Sequence, residues 1–382
     1  MENLLSIKNL TIKFHTYDST VTAVDDIHLT IGVNETYGLV GETGCGKTVT
    51  ALSVLRLVPS PGRIERGNVQ FLTNSGGLLE LLDLDENEMR ELRGNKISMI
   101  FQEPSSALDP VYTIGDQISE SILLHRKIEV AENVLSKIDL PPGNFLKRIL
   151  AILVKPIEKE IYSTIIDNPE TNISEIIARI PVIRNLLWRS HREANEMAVT
   201  LLKNVEIPDA GRVVHQYPHE LSGGMKQRCV IAIALACNPR LLIADEPTTA
   251  LDVTIQAQIL DLLNKLKEES NMSILYITHD LSVAAEICDR VGVMYAGSIC
   301  EEADVVELYE NPLHPYTKAL LAAVPKPGEL PHSVIGTAPD LSELSEGCAF
   351  YPRCSIHEDI CLSGKPKTVE IMPGHFVTCH LC

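Results

Sequence analysis

The sequence predicts an α/β fold, and two stretches that lie far apart in the chain predict it. In the first, a short apolar strand, Glu35–Val40, leads directly into the loop GETGCGKT and then into an amphipathic helix, Gly46–Leu57. In the second, a strand of aliphatic residues ends abruptly at two adjacent carboxylates, Asp245 and Glu246. A strand, a G-x-x-x-x-G-K-T loop and a helix in this order are typical of a phosphate-binding loop. We therefore expect an α/β protein that binds the phosphates of a nucleotide.

The phosphate-binding loop predicts a role for its residues. Its glycines let backbone N–H groups converge on the phosphates, and the helix N-terminus adds a favourable dipole. Lys47 is expected to reach the β- and γ-phosphates, and the Thr48 hydroxyl to coordinate Mg²⁺. Cys45 is interpreted as a small residue that fills space, in preference to a thiol whose pKa is lowered at a helix N-terminus. The predicted nucleotide-binding residues of this loop are Gly41, Glu42, Thr43, Gly44, Cys45, Gly46, Lys47 and Thr48.

Polar residues also end other predicted strands. Asp245 and Glu246 would be costly to bury unpaired, so they predict a cation or a developing positive charge beside them. Gln102 follows the strand Lys96–Phe101, and His279 follows the strand Met272–Thr278. Either residue alone would be interpreted as a structural polar terminus. Beside a phosphate-binding loop and a carboxylate pair, a functional role is favoured.

The remaining periodic segments surround these motifs. Alternation predicts two N-terminal strands, and helical periodicity predicts further helices outside the motifs. The segment 127–192 is mostly helical by periodicity but is interrupted by prolines; we interpret it as an extra helical layer in preference to a partner-docking element. The strands are Leu4–Phe14 and Val21–Ile31; the helices are Thr113–His125, Val130–Ile138, Phe145–Val154, Ile173–Ile180, Glu193–Val205 and Thr254–Glu269.

Composition restricts the classes of function. A net charge of −18 disfavours non-specific binding to nucleic acid, whose phosphates would be repelled. The sequence contains no apolar run of the roughly 18 residues that a membrane span needs, and its first residues lack the features of a secretory signal. We therefore expect a cytoplasmic protein, in which the ten cysteines stay reduced.

Half of the cysteines lie in the last 35 or so residues, after a Pro- and Gly-rich linker, Lys326–Pro339. This tail is too short to form a core of its own. Domains of this size usually need a metal or a disulfide, and a reducing compartment excludes the disulfide. The tail cysteines are Cys348, Cys354, Cys361, Cys379 and Cys382.

Together the motifs resemble those of ATP-binding cassette ATPases. The stretch LSGGMKQR, Leu221–Arg228, resembles the signature loop of that family, and the other motifs follow in the family's order. More narrowly, the stretches DEPTTALDVT, NPLHPYT and CAFYPRC resemble the ATP-binding subunits of oligopeptide, dipeptide and nickel importers. The resemblance implies a P-loop NTPase cassette: a RecA-like core, an N-terminal antiparallel β subdomain, a helical subdomain and a small cysteine-rich C-terminal extension. The implied boundaries are 1–325 for the cassette, with an insertion at about 127–192, and 326–382 for the linker and extension.

In this family two cassettes pair head to tail and hold ATP between the phosphate-binding loop of one and the signature loop of the other. The resemblance implies that Glu246 is the general base, that Asp245 holds Mg²⁺ through water with Thr48 and Gln102 at the same metal, and that His279 contacts the γ-phosphate. Gln102 would also link this site to the membrane subunits. Phe14 would stack on adenine, with Tyr17 as the alternative. The further nucleotide contacts implied are Ser222, Gly223, Gly224, Gln227 and Asp252.

The tail resembles an iron–sulfur motif of these importers. The resemblance implies a [4Fe–4S] cluster with a structural role, and Cys382 could replace Cys379 as a ligand. Structural zinc is the alternative, because tetrahedral thiolate sites accept either metal. The implied ligands are Cys348, Cys354, Cys361 and Cys379.

The function implied is ATP hydrolysis that energises solute import, with di- or oligopeptides favoured over nickel or oligosaccharides. The implied partners are a second, sister ATPase subunit, two transmembrane permease subunits and an extracytoplasmic solute-binding protein. The chain would lie on the cytoplasmic face of the membrane, held by protein contacts. Soluble cassette ATPases of DNA repair or translation fit less well, because the segment 127–192 lacks sustained heptads and the chain has one set of motifs. A phosphoryl-transferring kinase would leave the signature loop unexplained.

Overall fold

The computed structural model describes most of the chain and divides it into two compact units. The first unit comprises Met1–Arg93, Ile97–Gln102 and Arg240–Cys382, and the second comprises Gly94–Lys96 and Glu103–Pro239. The predicted helices Phe145–Val154 and Ile173–Ile180 lie outside the described residues, as does most of the predicted linker. The described residues are 2–17, 19–74, 76–138, 156, 159–167, 184–249, 251–324, 336–337, 339–342 and 346–382.

The described residues of the first unit form two β-sheets. Their strands are β1 Asn3–His15, β2 Thr20–Gly32, β3 Thr36–Val40, β4 Gly62–Leu72, β5 Leu78–Glu80, β6 Ile97–Ile100, β7 Leu241–Asp245, β8 Ser273–Thr278, β9 Arg290–Tyr295, β10 Ser298–Asp304, β11 Thr368–Met372 and β12 His375–Thr378. The larger sheet has eight of these strands in the order β11-β12-β10-β9-β3-β8-β7-β6, and the smaller has four in the order β2-β1-β4-β5.

The centre of the larger sheet is parallel. Strand β3 pairs in parallel with both β8 and β9, and β7 pairs in parallel with β6 and β8. Every residue of β3, β7 and β8 is buried, which explains why these strands are mostly apolar and show no alternation of apolar and polar residues. Because parallel strands end at the same edge of a sheet, the residues that follow β3, β6, β7 and β8 meet there.

The smaller sheet is antiparallel and packs its apolar face on the core of the same unit. This core also contains residues of β3, β7, β8 and the first helix. The helices of the unit are α1 Lys47–Val54, α2 Glu86–Leu92, α9 Val253–Ser270, α10 Leu281–Ile287, α11 Val305–Glu310 and α12 Pro315–Ala323, with numbers that follow chain order through both units.

The second unit is helical in its described part. Its helices are α3 Pro104–Ala107, α4 Ile114–His125, α5 Lys127–Ile138, α6 Arg184–Asn204, α7 Ala210–Val213 and α8 Gly223–Ala234, and residues 159–167 are also helical. Helix α6 packs against α4, α5 and α8, and these helices bury apolar side chains such as Ile118, Val134, Ala198 and Leu202. Thr113 caps α4 in a reciprocal hydrogen-bonding arrangement with Asp116.

The C-terminal tail adds strands to the larger sheet of the first unit. Strand β12 pairs antiparallel with β10, and β11 pairs with β12. A buried contact accompanies the pairing, because His375 Nε2 lies 2.9 Å from Glu301 Oε1. No helix in the described ranges is long and apolar enough to cross a membrane.

The observed boundaries differ modestly from the predicted ones. The helix expected over Gly46–Leu57 begins at Lys47, because the positive φ of 110° at Gly46 is not helical, and it ends at Val54, shortly before Arg56, whose φ of 51° is also positive. The helix expected over Glu193–Val205 begins earlier and spans Arg184–Asn204. The predicted strand Met272–Thr278 begins one residue later, at Ser273.

Candidate active site

The phosphate-binding loop joins β3 to α1. Lys47 Nζ donates hydrogen bonds to the carbonyl oxygens of Gly41, at 2.7 Å, and Glu42, at 3.0 Å, so the lysine lies along the inside of the loop. Gly46, the N-cap of α1, supplies no side-chain cap to the first turn. The N–H groups of that turn therefore remain available to an anion.

Two glycines of this loop are required by close packing. A Cβ at Gly41 would lie 2.1 Å from the carbonyl oxygen of Met294, and one at Gly46 would lie 2.4 Å from that of Ala23. Neither backbone oxygen can move without disturbing its strand. The loop is thus pressed against two neighbouring strand segments of its own unit, which holds its N–H groups in place.

Cys45 is buried behind the loop. Burial raises the pKa of its thiol, although the charge of Lys47 acts in the opposite direction. This direction is opposite to the lowered pKa expected of a reactive thiol, and the burial of Cys45 agrees with the interpretation as a space-filling residue.

Asp245 and Thr48 meet at the end of β7. The Thr48 hydroxyl donates to Asp245 Oδ1 over 3.1 Å. Burial raises the pKa of Asp245, the neighbouring Glu246 raises it further, and the Thr48 hydrogen bond lowers it. A hydroxyl and a carboxylate form the all-oxygen donor set that Mg²⁺ prefers, so these residues fit the predicted ion.

Glu246 lies at the centre of a hydrogen-bond network. Its Oε2 accepts from Gln102 Nε2 at 3.1 Å and from the Thr249 hydroxyl at 2.9 Å. Its Oε1 lies 3.1 Å from Nδ1 of His279, whose side chain is half exposed. Three of these residues, Gln102, Glu246 and His279, were predicted from separate strand ends, and the parallel sheet brings them together.

The network keeps Glu246 ionised. Burial alone would raise the pKa of the Glu246 carboxyl, but the hydrogen bonds from His279 and Thr249, together with the charges of His279 and Lys47, outweigh it and lower the pKa. A buried carboxylate that stays charged can accept a proton from water. Glu246 also has a positive φ of 46°, a strained conformation for a residue other than glycine.

The predicted signature loop belongs to the second unit. Ser222 is the N-cap of α8 and accepts a hydrogen bond from Met225 N over 3.4 Å. Ser222 and Gly223 are exposed and Gly224 is half-buried, so the start of this helix is accessible. Gln227, in contrast, is fully buried, and its amide atoms have no hydrogen-bond partner among the described residues.

The other predicted nucleotide contacts have distinct environments in the first unit. Phe14 is half-buried and packs against the core, whereas Tyr17 is fully exposed. Asp252 is the N-cap of α9 and accepts from Ile255 N over 2.9 Å. Glu42, Thr43 and Gly44 lie in the outer turn of the phosphate-binding loop.

The four predicted cluster ligands are neighbours in the tail. The Cys348 N–H donates to the Cys361 carbonyl over 2.8 Å. Burial raises the pKa of Cys348 and of Cys354, and for both residues the thiols of Cys361 and Cys379 contribute to the rise. Within the described residues, however, no three His, Cys, Asp or Glu side chains are arranged to hold a metal ion. The thiols share one region, but they do not form a ready-made metal site.

Comparison with known proteins identifies the family. The sequence profile described as ABC transporter matches residues 24–249, which is more than half of the chain. The chain belongs to the ABC transporter family. A second profile, described as the C-terminal region of oligopeptide/dipeptide transporters, matches residues 300–361 of this cassette protein. Both levels of the resemblance found in the sequence are therefore confirmed.

Full-length relatives carry the same pattern. A putative peptide import ATP-binding protein of Brucella melitensis is 42% identical over 98% of this chain and 96% of its own length. The oligopeptide transport ATP-binding protein OppD of Escherichia coli is 39% identical over 98% of this chain and 92% of its own. The oligopeptide transport ATP-binding protein AppD of Bacillus subtilis is 38% identical over the whole of this chain and 97% of its own.

Solved structures confirm the cassette fold. A dimeric ATP-binding cassette in a post-hydrolysis state with ADP and Pi has a TM-score of 0.54 to this chain, with 22% sequence identity. It covers 79% of this chain and 98% of its own length. The predicted α/β cassette is therefore correct.

Three residues at the site were not predicted. Thr249 bonds Glu246, Tyr316 accepts a hydrogen bond from the Glu42 N–H, and Arg353 pairs with the Glu42 carboxylate. A signal existed for Thr249, which lies in the stretch that follows Glu246. No local signal points from Tyr316 or Arg353 to the loop, because they lie hundreds of residues away in sequence.

Proposed function

We propose that this chain is the ATP-hydrolysing subunit of an ABC importer of di- or oligopeptides. The observation that carries the proposal is the network that holds Glu246 ionised beside the phosphate-binding loop. The peptide substrate is supported by the relatives, whose names are those of peptide import ATP-binding proteins. The match of residues 300–361 to the C-terminal region of oligopeptide/dipeptide transporters supports the same substrate class.

The residues of the site divide the chemistry among them. Lys47 and the N–H groups of α1 bind the phosphates, and they orient the γ-phosphate for attack. Glu246 accepts a proton from the attacking water as the oxygen bonds to the γ-phosphorus and the bond to ADP breaks. His279, held by Glu246, contacts the γ-phosphate. Asp245, Thr48 and Gln102 would hold Mg²⁺, which when bound neutralises charge on the phosphates.

The nucleotide site is completed by a second cassette. Ser222, Gly223 and Gly224 begin a helix and are accessible, so their N–H groups can bind the γ-phosphate of ATP held by a partner. Gln227 and Asp252 are assigned to the same site. We expect the partner to be a sister subunit. Phe14 is assigned to adenine stacking, with Tyr17 as the alternative. Measuring ATP affinity in Phe14→Ala and in Tyr17→Ala distinguishes them, because only loss of the stacking residue should lower it.

The chain would act at a membrane without entering it. Two permease subunits would bind the cassette pair on the cytoplasmic face, and Gln102 would couple the nucleotide site to them. An extracytoplasmic solute-binding protein would deliver the substrate. No nucleic acid is assigned as a partner, because a chain of net charge −18 would be repelled by phosphates.

The tail cysteines are assigned a [4Fe–4S] cluster with a structural role. The support is chemical, because Cys348, Cys354, Cys361 and Cys379 are neighbouring thiols and four thiolates suit iron–sulfur chemistry. Anaerobic purification decides the assignment. A brown protein that contains iron and sulfide would support the cluster. A colourless protein with stoichiometric zinc would show that the site holds structural zinc instead.

Uptake in cells tests the proposed function. A strain that lacks this chain is complemented with wild type, with Glu246→Gln or with Glu286→Gln, a matched change at an exposed helical glutamate. Uptake of a labelled tripeptide is expected with wild type and Glu286→Gln and not with Glu246→Gln. Restoration of nickel or oligosaccharide uptake instead would change the substrate class. Restoration by Glu246→Gln would contradict the assigned chemistry.

A further inference from the structure

The C-terminal tail contacts the phosphate-binding loop directly. Arg353, in the stretch CAFYPRC, donates from both terminal nitrogens of its guanidinium group to the Glu42 carboxylate. Nη1 lies 2.7 Å from Oε2, and Nη2 lies 2.9 Å from Oε1. Glu42 is the second residue of the loop and lies 311 positions away in sequence. A two-point contact of this kind fixes the relative orientation of the two groups as well as their distance.

The contact is shielded from solvent. The Arg353 side chain is 5% exposed and the Glu42 side chain 27%. The guanidinium carbon lies 5.7 Å from the centre of the Tyr295 ring, and the Tyr295 hydroxyl is 3.4 Å from Nη1. The pairing with Glu42 raises the pKa of Arg353, so the cation persists at any physiological pH. An ion pair with this geometry and burial constrains its partners more than an exposed pair does.

An aromatic cluster supports the same part of the loop. The rings of Tyr295, Tyr316 and Phe350 pack together with centroids 4.6 to 5.4 Å apart, and all three are buried. Phe350 comes from the tail and lies three residues before Arg353. The Tyr316 hydroxyl accepts a hydrogen bond of 3.0 Å from the Glu42 N–H. The backbone and the side chain of Glu42 are therefore both held from outside the loop.

Glu42 also takes part in the internal hydrogen bonds of the loop. Its carbonyl oxygen accepts from Lys47 Nζ at 3.0 Å and from Cys45 N at 3.3 Å. A rotation of the Glu42 peptide would thus displace the lysine that binds the phosphates. The contacts that hold Glu42 therefore also hold the backbone conformation of the loop.

We propose that Arg353 is a positioning residue for the phosphate-binding loop, so that the C-terminal tail sets the affinity of the cassette for ATP. Arg353 acts through Glu42 and does not contact nucleotide. This inference rests on the proposed function, since it requires ATP to bind at this loop. It gives the tail a role at the nucleotide site.

The test compares variants of the full-length chain. Affinity for a non-hydrolysable ATP analogue with Mg²⁺ is measured by calorimetry, and KM and kcat by steady-state ATPase assay. Arg353→Ala is expected to raise Kd and KM about tenfold, the effect typical of losing hydrogen bonds to a charged group, with a much smaller change in kcat. Arg353→Lys should recover part of the affinity, because lysine keeps the positive charge but cannot make the two-point contact with the carboxylate.

Two controls separate positioning from general stabilisation of the tail. Lys365→Ala removes another ion pair of the tail, to Asp25 in β2 of the smaller sheet, and should leave Kd unchanged. In a Glu42→Ala background, Arg353→Ala should cause no further rise in Kd, because the partner is already absent. Circular dichroism and melting temperature verify that each variant is folded; if Arg353→Ala does not fold, the comparison uses Arg353→Lys and Glu42→Ala.

The outcomes are distinct. Equal Kd values for wild type, Arg353→Ala and Lys365→Ala would overturn the inference and leave the proposed function intact. Full additivity with Glu42→Ala would also overturn it. Wild-type chain that fails to bind the analogue would overturn both the inference and the proposed function.

Discussion

At the scale of single residues, Glu246 shows how a carboxylate can be buried and still act as a base. Desolvation favours its protonated form, but hydrogen bonds from His279 and Thr249 and the charges of His279 and Lys47 compensate. The result is a lowered pKa at a site where an uncompensated carboxyl would be protonated more easily. The position of His279 therefore controls the pH range in which Glu246 can accept a proton.

The pH dependence of kcat tests this role of His279. Loss of the His279 ring removes contributions that lower the pKa of Glu246, so the pKa rises. Because the base must be ionised, the acidic limb of the kcat profile should move to higher pH in His279→Ala, and kcat should fall about 10²–10³-fold with loss of the phosphate contact. The measurement is steady-state ATPase activity across pH at saturating ATP and Mg²⁺.

Thr249→Val provides the matched comparison. It removes one neutral donor to the same carboxylate, so its acidic limb should move in the same direction by less than that of His279→Ala. An unmoved limb in His279→Ala would show that the histidine does not control the ionisation of Glu246.

At the scale of elements, the C-terminal tail is anchored by a buried polar contact. Glu301, at the centre of β10, accepts from the backbone N–H groups of Leu313 and His314 and pairs with His375 of β12. Both side chains of the pair are almost completely buried. His375 adds a third partner to this buried carboxylate, so the contact couples the tail to the sheet.

A second prediction follows from this anchor. His375→Ala should destabilise the β11–β12 hairpin by about 1–3 kcal/mol, because it removes one partner of a buried carboxylate. Hydrogen exchange measured by mass spectrometry should be faster in Thr368–Met372 and His375–Thr378 and unchanged in Leu241–Asp245. Lys365→Ala, which breaks a more exposed pair, should change the same rates little. Equal protection in wild type and His375→Ala would exclude the anchoring role.

How much was predictable from the sequence depends on whether the determinants are local. The loop, β3 and α1 were predictable, because glycine spacing and apolar periodicity act over a few residues. The convergence of Gln102, Glu246 and His279 followed from strand ends and the family resemblance. The pairing of β12 with β10 and the contact of Arg353 with Glu42 join segments far apart in sequence. No periodicity or motif encodes such a pairing, since it depends on the folded sheet.

At the scale of the whole molecule, the residues assigned to nucleotide chemistry fall in two compact units. The phosphate-binding loop, Asp245, Glu246 and His279 belong to the first unit, and the signature loop belongs to the second. The tail belongs to the first unit, where it extends the larger sheet and touches the phosphate-binding loop. We propose that ATP binds between this loop and the signature loop of a second cassette, and that Glu246 acts as the base for hydrolysis there.

The variant Glu246→Gln tests both the pairing of the cassettes and the role of Glu246. The purified variant is mixed with its sister subunit, ATP and Mg²⁺, and its assembly is followed by size-exclusion chromatography while phosphate release is measured; Glu286→Gln is the control. We expect hydrolysis to fall about 10²–10⁴-fold, because the general base is lost, and the nucleotide-bound pair to persist, because ATP is retained. Unimpaired hydrolysis with no pairing would show that Glu246 is not the general base and that ATP does not hold two cassettes together.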